Sequence, residues 1–307
     1  MNGYIIGIDS GGTKTKGVLF DMAGNQIKDT YSGFGNFNVD PTMTKKHIFD
    51  ALDDLTEEID VSELKCILIG VAGYSNYPDK DKFIADISKK YQTEIKVVTD
   101  ALVALYSVKQ DKYKQVIMVL GGTGSAIIAY ANDKIHFIGG YGPLLGDEGS
   151  SYHLVIEELK HIIKQFEEKK KITDLTKALL DKIEAKNYTD IKAFVYNNTK
   201  NKIAELSQFI ALYALKGNSE AIDLFVKEGE FLAKQTYNAY RLMNPNLEVR
   251  IGVRGGFLLN APYVLETLVK SLDQMNIKYT IDDSLSDPVI GAYYLAMEYL
   301  KEEVNNG

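Results

Sequence analysis

Apolar and polar positions divide the chain into an early strand-rich part and a later helical part. The first 30 residues alternate short apolar runs with polar turns, which predicts strands at 4–8 and 16–21 and a third strand after the next turn. Helical apolar spacing then alternates with short apolar runs, and this indicates parallel strands joined by crossover helices. After Gly149 the apolar residues recur every three or four positions, so a helix-rich second half is expected.

The second half contains four long amphipathic segments. They predict helices at 152–166, 174–185, 189–215 and 219–243. A strand at 249–253, a helix near 262–275 and a last helix from 288 follow.

The opening pattern of strand, glycine turn and strand occurs a second time. Residues 11–20, GGTKTKGVLF, align with residues 121–130, GGTGSAIIAY, with identical glycines and threonine. Other positions match hydroxyl with hydroxyl, β-branched with β-branched and aromatic with aromatic. Each copy follows an apolar strand and precedes a polar turn, so the pattern predicts an internal duplication.

Charge and composition exclude several classes of protein. The net charge of -7 opposes binding to a phosphate backbone, so no nucleic-acid partner is expected. Cys66 is the single cysteine and lies in an apolar run, so a buried thiol is expected and thiolate metal sites are excluded. The charged residue Asp9 comes too early to leave room for the apolar core of a signal peptide. No apolar run is long enough to span a bilayer. A cytoplasmic protein without a membrane partner is therefore expected.

Both glycine turns have the composition of a phosphate-binding loop. Glycines allow backbone N–H groups to approach phosphate oxygens, and Thr or Ser hydroxyls add donors. Gly7 and Gly12 have Walker A spacing, but Thr13 stands at the lysine position and a strand follows, which rejects a P-loop fold. Asp9 precedes the first turn, where it could hold hydrated Mg²⁺ or simply form the turn.

Several segments together resemble the N-acetylglucosamine kinase-like family, the BadF/BadG/BcrA/BcrD-type ATPases of the sugar kinase/Hsp70/actin superfamily. They occur in the family's order over essentially the whole chain: GIDSGGTKT, VVTDALVAL, LGGTGSA, GGYGPLLGDEGSSY, VRGGF and DPVIGAYYLA. The resemblance implies an α/β protein with two ribonuclease-H-like (actin-like ATPase) domains, an interdomain nucleotide/sugar cleft and a helix-rich second domain. It places the first domain at 1–113 plus 288–307 and the second at 114–287.

The resemblance also implies roles for individual residues. Asp9 is expected to organise Mg²⁺ through water, and Asp100 is expected to be the general base and a substrate contact. The implied nucleotide-binding residues are Gly11, Gly12, Thr13 and Lys14 in the first turn, Gly122, Thr123, Gly124 and Ser125 in the second, and Gly255 and Gly256. The implied sugar contacts are Asn36, Ser75, Gly140, Tyr141, Gly142 and Asp147.

Three features leave alternatives open. Asp100 follows a strand and begins a helix, so it could instead only cap that helix. Tyr141 stands where the family commonly has Trp. Arg254 precedes the glycine pair, where a small residue is usual, so its side chain could touch the nucleotide or only face solvent. His153, Glu157 and His161 share one helix face, which favours a solvated or interface stripe over a metal site.

The expected activity is ATP- and Mg²⁺-dependent phosphorylation of an amino sugar at the C6 hydroxyl, with N-acetylglucosamine as the expected acceptor. Glucosamine or N-acetylmuramic acid kinases and a non-catalytic sugar- and ATP-sensing module are the alternatives. The resemblance further implies a role in cell-wall recycling and a possible homodimer. Activators of 2-hydroxyacyl-CoA dehydratases share the family but need cluster-binding cysteines, so the lone Cys66 disfavours them.

Overall fold

The computed structural model describes residues 3–282 and 287–306, without the side chains of 303–306. The chain divides into two compact units, Met1–Val116 together with Asp283–Gly307, and Ile117–Asp282. The domain ranges expected from the sequence stay predictions.

Strands and helices are numbered in chain order over the described residues. The strands are β1 (Tyr4–Ser10), β2 (Thr15–Asp21), β3 (Gln26–Ser32), β4 (Leu64–Val71), β5 (Glu94–Val98), β6 (Val116–Gly121), β7 (Ser125–Ala131), β8 (Lys134–Ile138), β9 (Val249–Arg254) and β10 (Tyr279–Ile281). The helices are α1 (Pro41–Thr56), α2 (Lys80–Tyr91), α3 (Asp100–Lys109), α4 (Ser151–Glu167), α5 (Asp174–Lys182), α6 (Tyr188–Asn197), α7 (Lys200–Ala204), α8 (Leu206–Leu215), α9 (Ser219–Tyr240), α10 (Gly256–Asn260), α11 (Val264–Gln274) and α12 (Ile290–Asn306).

Each unit is built on a five-stranded sheet with the same strand order. The order is β3-β2-β1-β4-β5 in the first unit and β8-β7-β6-β9-β10 in the second. Strands β1 to β3 pair antiparallel, whereas β4 pairs parallel with both β1 and β5. In the second sheet β7 and β8 are antiparallel, and β9 and β10 are parallel. The repeated order confirms the duplication and the α/β class predicted from the sequence.

The core of the first unit lies around its central strands. In β1, Ile5, Ile6 and Ile8 are fully buried, because side chains on both faces of this strand are covered. Helix α1 begins where the Asp40 side chain accepts from the N–H groups of Thr42 and Met43. Cys66 is also fully buried, as predicted.

The second unit is rich in helices, as predicted, but the long helix expected at 189–215 is wrong. Three helices, α6, α7 and α8, occupy that range. Asn198 Nδ2 donates to the carbonyl of Phe194 at 2.8 Å, and Thr199 Oγ1 accepts from the N–H of Lys202 at 3.3 Å. Such side-chain bonds to the backbone compete with helix continuation. The interruption places Lys200 at the start of a new helix.

The helix expected near 262–275 is confirmed as α11, and it is separate from the short helix before it. Helix α10 ends at Asn260, and α11 begins after Tyr263, whose φ of 65° is incompatible with a continuous right-handed helix. No helix within the described residues combines the length and the apolar character needed to cross a membrane.

Candidate functional site

The first glycine turn joins β1 to β2 and is closed by backbone hydrogen bonds. The N–H of Gly11 donates to the carbonyl of Lys14 at 3.0 Å, and the N–H of Gly35 donates to the carbonyl of Gly11 at 2.8 Å. A Cβ added to Gly12 would meet nothing within 4 Å. The turn that contains Gly11, Gly12, Thr13 and Lys14 therefore has a side on which a ligand could approach the backbone closely.

The Asp9 carboxylate of the first unit is affected electrostatically by two others, Asp100 and Asp287. Asp9, near the end of β1, lies opposite Gly70 of β4, and a Cβ on Gly70 would lie 3.5 Å from the Cα of Asp100. Burial and then the charges of Asp100 and Asp287, opposed by Lys14, together raise the pKa of Asp9 to about 7. Like charges placed close together favour either protonation of one carboxylate or binding of a cation.

Asp100 is the first residue of α3, but the N-cap is Thr99. The Thr99 hydroxyl accepts from the N–H of Leu102 at 3.3 Å, whereas Asp100 Oδ1 accepts from the N–H of Ala101 at 2.9 Å. Burial raises the pKa of Asp100, and its backbone hydrogen bonds only partly offset this. Thr99 is therefore the N-cap of α3, Asp100 also accepts from one of the first N–H groups of the helix, and burial makes its carboxylate a stronger base than an exposed one.

The donor chemistry of this cluster suits a hard divalent cation that keeps its water ligands. Mg²⁺ prefers oxygen ligands and is commonly held by one or two carboxylates together with substrate phosphates. No group of three or more His, Cys, Asp or Glu side chains in the described residues is arranged to hold a metal ion. The residues present therefore fit Mg²⁺ bound through Asp9, water and phosphate oxygens, and do not fit a closed metal cage.

Asp287 belongs to this cluster, although no site role was predicted for it from the sequence. It lies just before α12 and pairs with Lys16 Nζ at 2.6 Å. The ammonium groups of Lys14 and Lys16 lie 4.9 and 5.1 Å from the centre of the Tyr31 ring. Asp287 opens the segment DPVIGAYYLA, so the motif was visible in the sequence while its contact with Lys16 was not.

Asn36 and Ser75, two expected sugar contacts, lie on neighbouring loops of the first unit. Asn36 Oδ1 accepts from the N–H of Asn38 at 2.9 Å, and the N–H of Asn36 donates to Thr44 Oγ1 at 2.9 Å. Gly73 has a φ of +77°, and its Cβ would lie 2.8 Å from Asn36 Oδ1. Ser75 is exposed in the short 3₁₀ turn that follows. A glycine at 73 therefore lets the Ser75 loop approach Asn36 closely.

The second glycine turn is tied to the segment that contains Asp147. The N–H of Gly122 donates to the carbonyl of Gly124 at 2.8 Å. The N–H of Ser125 donates to Asp147 Oδ1 at 3.3 Å, and Ser125 Oγ donates to the carbonyl of Glu148 at 2.7 Å. The Ser125 hydroxyl therefore anchors the neighbouring segment, so the backbone of the turn is the better source of donors for a phosphate.

Asp147 is almost fully buried and forms an ion pair. Its Oδ2 accepts from Lys200 Nζ at 2.6 Å, and only 3% of the residue is exposed. A Cβ on Gly124 would lie 2.7 Å from Lys200 Nζ and 2.9 Å from Asp147 Oδ1. Glycine at 124 therefore allows this ion pair to lie directly against the second turn. Lys200 was missed because nothing near it in the sequence marks a site.

Gly140, Tyr141 and Gly142 form a loop on the same unit. The φ angles of Gly140 and Gly142 are +71° and +84°, a region that favours glycine. A Cβ on Gly142 would meet nothing within 4 Å, and Tyr141 is 64% exposed. The loop thus presents an aromatic ring and open backbone to solvent within this unit.

Helix α9 supports the segment after Asp147 through a buried carboxylate. Glu228 Oε2 accepts from the N–H of Gly149 at 2.6 Å, and Glu228 Oε1 lies 2.8 Å from His153 Nδ1. Burial lowers the pKa of His153, but the Glu228 carboxylate favours the charged ring and the net shift is upward. Burial raises the pKa of Glu228, and His153 offsets only part of this. His153 therefore contacts α9 and does not line a metal site with His161.

The glycine pair after β9 lies against the end of β6. Gly255 has a φ of +106°, and a Cβ there would lie 2.4 Å from the carbonyl oxygen of Gly121, so a side chain cannot be accommodated. A Cβ on Gly256 would approach only Asn260, at 3.9 Å. Arg254 Nη2 lies 3.5 Å from Asp282 Oδ2, so the guanidinium is engaged in an ion pair and does not simply face solvent.

A family model described as the BadF/BadG/BcrA/BcrD ATPase family matches residues 6–296. An N-acetylmuramic acid/N-acetylglucosamine kinase of Clostridium acetobutylicum is 28% identical, over 95% of this chain and 98% of that protein. An N-acetyl-D-glucosamine kinase of Dictyostelium discoideum is 26% identical, over 96% of this chain and 98% of that protein.

Solved structures show the same fold. A crystal structure of a Chromobacterium violaceum protein proposed to be an N-acetylglucosamine kinase superposes with a TM-score of 0.73. The two chains are 20% identical, and the match covers 96% of this chain and 98% of the other. At this identity the likeness establishes a shared architecture.

Proposed function

The chain belongs to the BadF/BadG/BcrA/BcrD ATPase family, and on that premise we propose that it is an ATP-dependent amino sugar kinase. The proposed reaction transfers the γ-phosphoryl group of ATP to the C6 hydroxyl of N-acetylglucosamine. The relatives of similar length are named as kinases of this sugar, one of them also of N-acetylmuramic acid. Their names support the reaction class and the kind of acceptor.

The observation that carries the proposal is the Asp100 carboxylate. Asp100 begins α3 after β5, and its Cα would lie 3.5 Å from a Cβ on Gly70, the residue of β4 that pairs with Asp9. Thr99 is the N-cap of that helix. Burial raises the pKa of Asp100, which suits a group that must accept a proton from a hydroxyl. We assign Asp100 as the general base that orients the acceptor hydroxyl and takes its proton.

The first glycine turn is the proposed site for the phosphates near this base. Gly12 leaves the backbone open to a ligand, and Thr13 and Lys14 supply a hydroxyl and a positive charge in the same turn. Asp9 is the proposed residue for Mg²⁺. When bound, the metal supplies charge neutralisation for the transferring phosphoryl group.

The second unit supplies the remaining proposed contacts. The backbone from Gly122 to Gly124 is assigned to phosphate, and Gly255 with Gly256 to the adenosine. Asp147 and the loop from Gly140 to Gly142 are assigned to the sugar, with Asn36 and Ser75 from the first unit. Positioning and electrostatic stabilisation of this kind account for most of the rate enhancement in phosphoryl transfer.

We also propose that the enzyme is a cytoplasmic homodimer that recycles cell-wall amino sugars. Light scattering of the purified protein tests the dimer directly. A monomer at assay concentration would remove that part of the proposal without affecting the kinase assignment.

The test of the function is ADP release with Mg-ATP against N-acetylglucosamine, glucosamine, N-acetylmuramic acid and glucose. Stimulation by an amino sugar, lost in Asp100→Asn, is the expected result. NMR of the product then shows whether the phosphate is on C6. Binding of ATP without stimulation by any sugar would instead favour the non-catalytic sensing module.

A further inference from the structure

Lys200 is the cation closest to the two groups that we assign to sugar and phosphate in the second unit. Its Nζ lies 2.6 Å from Asp147 Oδ2, and a Cβ on Gly124 would lie 2.7 Å from the same atom. The Tyr152 ring centre lies 5.7 Å away. The ammonium is therefore held between the second glycine turn and the buried carboxylate.

The two partners of this ion pair differ in their exposure to solvent. The Lys200 side chain is 33% exposed, whereas that of Asp147 is 4% exposed. An ammonium has three N–H donors, and Asp147 takes one of them. The remaining donors are on the partner that solvent can reach, so an incoming anion can approach Lys200 without breaking its bond to Asp147.

Helix α7 itself does not need Lys200. Its N-cap is Thr199, and within it Lys202 pairs with Glu205 at 2.9 Å on the solvent side. An ammonium at the start of a helix is also unfavourable for the helix dipole. The position of Lys200 thus has no evident benefit for α7, which makes a role toward Asp147 and a ligand the better explanation.

We propose that Lys200 is an anion-binding residue of the kinase site, and this inference rests on the function proposed above. Its ligand is an anionic oxygen group with one of two sources. One source is a phosphoryl group of the nucleotide at the second glycine turn. The other is the carboxylate of an acidic amino sugar such as N-acetylmuramic acid, bound next to Asp147.

Three variants separate the charge of Lys200 from its packing. Lys200→Met removes the charge and keeps an unbranched side chain, and Lys200→Arg keeps the charge. Lys202→Met is the matched control, because it removes a lysine from the same helix that pairs only with exposed Glu205. Each variant is assayed for kcat and KM with ATP, N-acetylglucosamine and N-acetylmuramic acid. Calorimetry with ADP and with each sugar measures binding without turnover.

The expected result for Lys200→Met is a loss of affinity of about tenfold or more for one anionic ligand, the effect of removing one charge-assisted hydrogen bond. A loss for ADP and ATP identifies the phosphoryl group, and a loss for N-acetylmuramic acid beyond that for N-acetylglucosamine identifies the sugar carboxylate. Lys200→Arg should recover much of the affinity, and Lys202→Met should bind like the wild type.

Two outcomes would overturn the inference. One is unchanged binding of every anionic ligand by Lys200→Met. The other is an equal loss for the neutral and the acidic sugar with no change for nucleotides, since Lys200 would then only position Asp147. Failure of the proposed function is distinguishable, because a wild-type protein without sugar-stimulated ADP release can still bind ADP, and calorimetry would report on Lys200.

Discussion

The two units share a strand order, but the buried carboxylates at their proposed sites have different neighbours. In the first unit Asp9 is surrounded by like charges from Asp100 and Asp287, and its pKa is raised to about 7. In the second unit Asp147 is paired with Lys200, and Glu228 with His153. At these positions the first unit therefore favours a cation or a proton, whereas Asp147 and Glu228 of the second unit already have cationic partners.

This difference indicates that the two copies of the duplicated fold have different roles. Unbalanced carboxylates are costly to stability but useful for a reaction that needs a base and a divalent cation. A carboxylate that is paired with a cation can also stabilise the local backbone. Glu228, for example, accepts a hydrogen bond from the N–H of Gly149. The same sheet can therefore support reactive groups in one copy and a preformed binding surface in the other.

Asp100→Asn should have the largest effect. Loss of the general base is expected to lower kcat by about 10²- to 10⁴-fold, with the sugar KM nearly unchanged. Steady-state kinetics with the preferred amino sugar measure both constants. Thr99→Ala is the control for the helix cap, and it should cost about 1 kcal/mol of stability while keeping kcat. A fully active Asp100→Asn enzyme would remove Asp100 from the mechanism.

Glu228→Ala should cause the next largest change, in stability. Removing one partner of a buried ion pair typically costs about 3–5 kcal/mol, because the other charge is left without compensation. Denaturant unfolding measures the change, and Glu228→Gln should lose less because it keeps an acceptor for Gly149. In the first unit, Asp287→Asn should cost at most about 1 kcal/mol, since the Asp287 side chain is 41% exposed. Equal losses in both variants would contradict the contrast between the units.

Asp9→Asn should stabilise the metal-free protein in a pH-dependent way. The folded-state pKa of Asp9, about 7, lies above its ordinary value of 3.8, so the folded state binds the proton more tightly than the unfolded state. Wild-type stability from this group is therefore lost as the pH rises from about 4 to 7, and Asn has no such loss.

Thermal unfolding of both proteins without divalent cations measures this difference. The advantage of Asp9→Asn should grow from pH 4 to pH 7 and level off above it. Added Mg²⁺ should narrow the gap by stabilising only the wild type. A gap that does not change with pH would show that the pKa of Asp9 is not raised in the folded protein.

Gly12→Ala should have the smallest effect on folding while weakening nucleotide binding. A Cβ there meets nothing within 4 Å, so the free energy of unfolding should change by no more than about 0.5 kcal/mol. Gly124→Ala is the matching variant of the second turn, and its Cβ would lie 2.9 Å from Asp147 Oδ1, so about 1–3 kcal/mol should be lost. ADP calorimetry and denaturant unfolding test both, and equal stability losses would mean that the turns are equivalent.

Local motifs were predicted well because their parts are adjacent in the chain. The turn from Gly11 to Lys14 follows an apolar strand and contains its own hydroxyl and lysine, so its place in the fold is evident from ten residues. The repeated pattern at 121–130 predicted a duplication, and the two sheets do have the same strand order. The helix break at Asn198 was missed, because apolar spacing continues across it while side-chain bonds to the backbone interrupt it.

The sequence by itself determined the α/β class, the duplication, the glycine turns and the position of Asp100 at the end of a strand. Only the tertiary structure decided which charges are neutralised. Lys200 is 53 residues from Asp147, and Glu228 is 75 residues from His153, so packing of separate helices creates both pairs. Hydrophobic periodicity specifies which face of a helix is buried, but the partner of a buried charge depends on which helices meet.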